Sequence, residues 1–144
     1  MANPPRTSPP PKRNIGTSLT AEQGVRSAAV VTLLSIAETR GGGYDFSRPE
    51  SGTFVVAELK VEGKVNTYFT SLNWVRLRKP DGTLVRPDDG NGVAGVPEHE
   101  QFATEKVGPG QVATGSIAFD SELEPGAKIV LTHESGEITG EWPL

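Results

Sequence analysis

Apolar and polar residues alternate along this chain with a period of two, and turn-forming residues interrupt the alternation roughly every eight to twelve positions. The stretch TFVVAELKVEGKV, 53–65, is the cleanest case. Val55, Ala57, Leu59 and Val61 share one face, while Glu58, Lys60 and Glu62 share the other. One apolar and one wet face predict a half-buried antiparallel strand. A second strand is predicted through LNWVRLRK, with Val75 and Leu77 inward and Trp74, Arg76 and Arg78 outward. Lys79-Pro80-Asp81-Gly82-Thr83 then turns the chain, because proline presets φ and glycine accepts a positive φ, and TLVR returns as the second arm of a hairpin. AKIVLTHE and GEITGEW predict a last hairpin joined through Glu134-Ser135-Gly136, with Pro143 ending the pairing because it lacks an N–H.

Other segments need arbitration. IGTSLTAEQG, 15–24, predicts a short first strand and a turn. From Val25 to Arg40 two periods compete. Thr20 and Gln23 resemble a capping box, and Ala28, Ala29, Leu33 and Ile36 would stripe a helix. Val30, Val31, Thr32, Leu34 and Ile36 fit a strand, and the β-branched content favours it. Residues 41–52 and 86–100 read as loops. GPGQVATGSIAFD, 108–120, holds three glycines in eight residues, yet Gly115 is followed by Ser116 with no lysine, so no phosphate-binding loop is spelled. Ile117 and Phe119 alternate with Ser116 and Ala118. Gly108-Pro109-Gly110 is therefore a turn, and Gly115 sits inside a strand, where glycine marks a bulge or a close backbone approach. The count comes to about seven to nine strands, which makes the chain all-β, an antiparallel β-sandwich.

Composition agrees with that picture. Seventeen glycines and twelve prolines in 144 residues supply many turns, and a 35% hydrophobic content suffices for one core. Residues 1–14 are a proline-rich tail, expected to be disordered or extended, and residues 15–144 are the domain. The tail carries Arg6, Lys12 and Arg13 and no acid, so against a total of −4 the remaining chain carries −7. An acidic body argues against nucleic-acid binding. Cysteine is absent, which excludes disulfides and thiolate chemistry. No apolar run is long enough for a membrane span, and residues 1–14 lack the apolar stretch of a signal peptide.

Two segments carry a family resemblance. GQVATGSIAFD resembles a recurring turn and strand, Thr-Gly-x-Ile-x-Phe-Asp, of immunoglobulin-like domains in exported bacterial proteins, among them actinobacterial lipoproteins and the small secreted mycobacterial immunoprotective antigens. Gly110, Thr114, Gly115, Ile117, Phe119 and Asp120 match. VRLRKPDGTLV is similar to their Asp-Gly hairpin at Leu77, Asp81 and Gly82, while Val75 stands where phenylalanine is usual. The resemblance covers about residues 15–144. It implies an immunoglobulin-like sandwich, an extracellular or cell-envelope location and no known catalysis, and it brings no functional residues with it. It also implies that the proline-rich tail is a spacer of the kind that follows a lipidated cysteine, an anchor possible only in a longer form.

Candidate chemistry is sparse. His99 and His133 are the only imidazoles, and no G-x-S-x-G elbow is present. Glu98-His99-Glu100 cannot easily converge on zinc from consecutive positions of an extended chain. With Asp89 as the first position of a calcium loop, Asn91 is third and Glu100 twelfth, but Val93 and Ala94 occupy the fifth and sixth, where a ligand and glycine belong. Asp88, Asp89 and Asn91 remain calcium candidates at a sandwich end. Trp74, Arg76 and Arg78 are the candidate binding face, since tryptophan and arginine are frequent anchors of protein interfaces. The bland alternative buries Trp74 under a loop and pairs the arginines with Glu58 or Glu62 across strands. Tyr44, Phe46, Tyr68 and Phe69 would extend the face or plug the sandwich ends. The expected function is a non-catalytic exported module that binds a protein partner and needs no cofactor. The competing expectation is a metal- or small-ligand-binding domain, or a hydrolase, working through the 86–100 loop.

Overall fold

Ten strands form in the computed structural model, which describes residues 13–23, 27–40, 48–132 and 137–144. They are β1 Arg13–Gln23, β2 Ser27–Thr39, β3 Phe54–Val65, β4 Tyr68–Phe69, β5 Val75–Arg78, β6 Leu84–Val85, β7 Lys106–Val107, β8 Val112–Asp120, β9 Lys128–Thr132 and β10 Ile138–Pro143. One sheet has the order β1-β2-β3-β8 and a second the order β10-β9-β5-β6, while β4 and β7 pair separately. Every strand pairing is antiparallel. The two four-stranded sheets share one apolar core, which takes Ala29, Val31, Leu59 and Phe119 from the first and Leu77, Ile129 and Trp142 from the second. The fold is thus the antiparallel sandwich that the alternation predicts, of the immunoglobulin-like kind that the resemblance implies. Its count exceeds nine because β4 and β7 are two-residue ladders too short for a periodic signal, while β6 is the returning arm TLVR.

The β2 strand resolves the competition between periods. Its inward residues are Ala29, Val31, Leu33 and Ile36, all in the core. Pairing with β3 shifts register between Leu33 and Ser35, so a bulge at Leu34 moves the inward set from odd to even positions. The spacing 29, 33, 36 is what imitated a helix. Beneath the bulge the outer face is polar and partnered: Ser18 and Thr32 hydroxyls meet at 2.7 Å, and the Ser35 hydroxyl donates to Glu58 at 3.2 Å.

Glycines set two close approaches. At Gly115 a Cβ would stand 2.5 Å from the Cα of Phe102, because the 101–102 segment runs alongside β8. Gln101 bridges Ser116 in parallel, and the Phe102 N–H donates to the Ser116 carbonyl at 2.9 Å. Ahead of this contact the 92–96 stretch, containing a 3-10 turn at Gly92–Gly95, folds onto the outer face of β3 and β8. There Val96, Phe54, Ala118 and the flanking Val56 make a second, small apolar cluster. The segment that reads as a polar loop therefore covers the outer face of β8, and residues 101–102 after it cover the β8 edge, one of the ways sheets avoid edge-to-edge pairing.

Pro143 does not end the last hairpin. It pairs with Lys128, and the following Leu144 N–H donates to the Ala127 carbonyl at 3.1 Å. Alternate residues of an antiparallel strand donate to a given neighbour, and since Leu144 does so, the missing N–H of Pro143 falls on the open side of an edge strand, where proline is tolerated. β1 begins at Arg13, two residues before the expected domain start. The proline-rich segment 1–12, the aromatic pair Tyr44 and Phe46, His133 and the Glu134-Ser135-Gly136 link lie outside the described residues.

Candidate interaction face

β5 and β9 run antiparallel with Val75, Leu77, Ile129 and Leu131 facing the core. Strict alternation then puts Arg76, Arg78, Lys128 and Val130 on the outer face. The register sets Arg76 opposite Val130 and Arg78 opposite Lys128, and β10 adds Glu141 opposite Val130. Two cations directly across a ladder repel one another. Glu141 offsets this by accepting from both, at 3.0 Å from Arg78 Nη1 and 3.5 Å from Lys128 Nζ. Arg76 is different. Its Nε is buried without a hydrogen-bond partner, and among the described residues it has no ion-pair partner. Beside it Val130 is fully buried although it belongs to neither apolar cluster.

Neither arginine reaches Glu58 or Glu62. Those acids lie on β3, in the other sheet, where Glu62 stands 3.9 Å from Lys60. Trp74 does not extend the Arg76–Arg78 row, because Leu72–Trp74 is a 3-10 turn rather than strand, capped by the Ser71 hydroxyl accepting from the Asn73 N–H. Half-buried, its ring meets Tyr68 edge-on with centroids 6.3 Å apart. Tyr68 itself is core, and burial pushes its phenol up to about 12, so it stays neutral. Phe69 on the next position is exposed. Lys128 and Glu141 were not singled out in the sequence. The signal was present in GEITGEW, since an inward Trp142 obliges Glu141 to point outward.

Two of the three residues considered for calcium, Asp89 and Asn91, are occupied by the loop itself. Asp89 Oδ2 accepts from the Arg86 N–H at 2.9 Å, closing a turn. Asn91 donates its side-chain amide to the Arg48 carbonyl and its N–H to Asp120 Oδ2, at 2.9 and 2.8 Å. Asp88 is exposed. Among the described residues no three His, Asp or Glu side chains converge as metal ligands would. His99 stands exposed in the 3-10 turn Glu98–Glu100.

Asp120, at the end of β8, organises this end of the sandwich. Its carboxylate accepts from the Glu50 and Ser51 N–H groups, the Ser51 hydroxyl and the Asn91 N–H, all between 2.7 and 2.9 Å. Burial acts to raise its pKa, but the hydrogen bonds from Asn91, Ser51 and Glu50 outweigh it and hold the group below its usual value. Gly90, at φ +55°, packs against this carboxylate so closely that a Cβ would lie 2.6 Å from Oδ2. At the end where β1 begins, an open cleft of about 430 Å³ is walled by Arg13, Ile36, Glu38, Leu123, Glu124 and Leu144 among others, with no Ser, Thr, Cys or His among the described residues of its lining.

No family model matches the chain, and no curated protein matches it. Among solved structures, the 1.5 Å crystal structure of MPT63, a secreted protein from Mycobacterium tuberculosis, is similar with a TM-score of 0.68. The likeness spans 91% of this chain and 95% of that one at 16% identity. At that identity it is a likeness of fold. No helix among the described residues is long and apolar enough to cross a membrane.

Proposed function

We propose that this protein is a non-catalytic, exported domain that binds a protein partner through the outer face of β10-β9-β5-β6. The observation that carries this reading is the cluster of Arg76, Arg78 and Lys128 against the single Glu141, on a chain whose net charge is −4. A concentration of cations on an otherwise acidic body favours one orientation of encounter and one sign of partner. Export is supported by the fold shared with a secreted protein, and a proline-rich spacer would suit a domain held off an envelope surface. The rival reading, a ligand or metal site in the 86–100 loop, is weakened because Asp89 and Asn91 already serve the loop's own hydrogen bonds.

The test is affinity capture with the full chain immobilised, offered cell-envelope and surface proteins, with an Arg76→Ala/Arg78→Ala double variant in parallel. A partner that binds the wild type saturably and is lost by the variant supports the reading. Equal capture by both, or none by either, overturns this face.

A further inference from the structure

We propose that Arg76 is the receiving group for a carboxylate of an extended acidic segment in the partner, one with Glu or Asp at alternate positions. This inference rests on the binding reading above and names the chemistry of the partner.

Three observations converge on it. First, the guanidinium of Arg76 is permanently charged, yet its Nε is buried with nothing to donate to. Native proteins keep few such groups, and each asks for a reason, of which a missing anion is one. Secondly, the acid already on this face is committed elsewhere. Glu141 bridges Arg78 and Lys128, so it is not the partner of Arg76, and its grip at 3.0 and 3.5 Å demonstrates that two cations of this face can hold a carboxylate. Thirdly, Arg76 and Arg78 are two positions apart on one strand. The strand rise separates them by about 6.7 Å, which is also the spacing of side chains at alternate positions of an extended peptide. The spacing of this row therefore matches that of a Glu-x-Glu segment.

A long polyanion fits less well. Binding of that kind draws on many phosphate or sulfate contacts. Here only three cations face outward on β5 and β9, one acid already neutralises part of them, and the remaining chain is acidic.

The experiment titrates the 15N-labelled full chain at low salt with a capped heptapeptide, Thr-Glu-Thr-Glu-Thr-Glu-Thr, and follows the side-chain Nε–H resonances of the arginines. The expected result is a saturable shift of the Arg76 resonance. Arg76→Gln should weaken the peptide by about tenfold or more, as loss of one partner of a desolvated charge pair does. Lys60→Gln on the opposite sheet should leave the affinity unchanged, and the peptide with Gln in place of Glu should not bind. Thermal melting confirms that the variants fold, and Arg76→Lys, which keeps the charge but not the planar fork, should bind at an intermediate level. An unmoved Arg76 resonance, or equal binding by Arg76→Gln, overturns the proposal. A larger and tighter response to a heparin hexasaccharide overturns it in favour of a glycan, and self-association abolished by Arg76→Gln overturns it in favour of a second copy. If the peptide fails while envelope capture is still lost in the Arg76→Ala/Arg78→Ala variant, the interaction face stands and only its acidic-peptide chemistry falls.

Discussion

The indole N–H of Trp142 donates to the carbonyl of Thr17 at 2.8 Å, and this bond ties the edge strand of one sheet to the edge strand of the other. Trp142 is also among the largest fully buried side chains. The same edge is closed by Leu19, whose Cδ1 would lie 2.6 Å from a Cβ placed on Gly140. Along this side the sandwich is seamed by one ring, one hydrogen bond and one glycine.

Separating the two contributions of Trp142 gives the first prediction. Trp142→Phe keeps most of the apolar bulk and loses the donor, so it should cost about 1–2 kcal/mol, from one hydrogen bond plus a small void. Trp142→Ala removes the ring and should cost about 3–5 kcal/mol. Urea unfolding of both variants checks the ratio. Equal losses would mean that the hydrogen bond, rather than the ring, holds the seam.

Asp120 predicts a pH dependence. Its folded pKa lies below the ordinary 3.8, held there by donors from Asn91, Ser51 and Glu50 against the opposing effect of burial. A depressed carboxylate contributes stability that is fully present above its unfolded pKa and is lost as pH falls through the folded one. Asp120→Asn should therefore be destabilised by about 1–3 kcal/mol at neutral pH, as hydrogen bonds to a charged group are lost. The gap to wild type should shrink below pH 4. Denaturation curves at pH 7 and pH 3 measure it, and a gap that does not change with pH would remove Asp120 as its source.

Much of this arrangement was legible in the sequence wherever period two ran unbroken. Val55, Ala57, Leu59 and Val61 were read as one face and all four are core. Legibility failed where a strand changed phase or gave way to a turn. The bulge at Leu34 disguised β2 as helical, and the 3-10 turn at Leu72–Trp74 took Trp74 out of the row that alternation assigned it. Long-range partners left no local trace. That Asp120 would gather Glu50, Ser51 and Asn91 from loops tens of residues away could not be read from a matching family position, and that Arg78 would meet Glu141 required knowing that β5 and β10 flank β9.

Gly115 offers a test of the covered edge. An added methyl group there meets backbone, at 2.5 Å from the Phe102 Cα and 2.8 Å from its nitrogen, and backbone cannot swing aside as a flexible side chain can. Gly115→Ala should push the 101–102 segment off β8, at a cost of about 1–3 kcal/mol. Hydrogen exchange should then show faster exchange at the Phe102 amide, whose bond to the Ser116 carbonyl is the contact displaced. Unchanged protection at Phe102 would mean that the strand yields instead of the loop.

Glu141 decides how the charged face behaves when nothing is bound. With its side chain 37% exposed and those of Arg78 and Lys128 at 34% and 37%, solvent screens the cluster strongly. Each bridge is then worth only a few tenths of a kcal/mol. Glu141→Gln should still be destabilised by about 0.5–1 kcal/mol at low salt, because it leaves Arg78 and Lys128 opposed across the ladder with no acid between them. At about 1 M salt, where the screening length falls to roughly 3 Å, that difference should nearly vanish. The same variant should bind the acidic heptapeptide more tightly than wild type, since Arg78 and Lys128 are released for the incoming carboxylates. Melting at two salt concentrations and one peptide titration separate these effects. A stability loss that persists in high salt would show that Glu141 acts by packing, and unchanged peptide affinity would show that Arg78 and Lys128 take no part in the binding face.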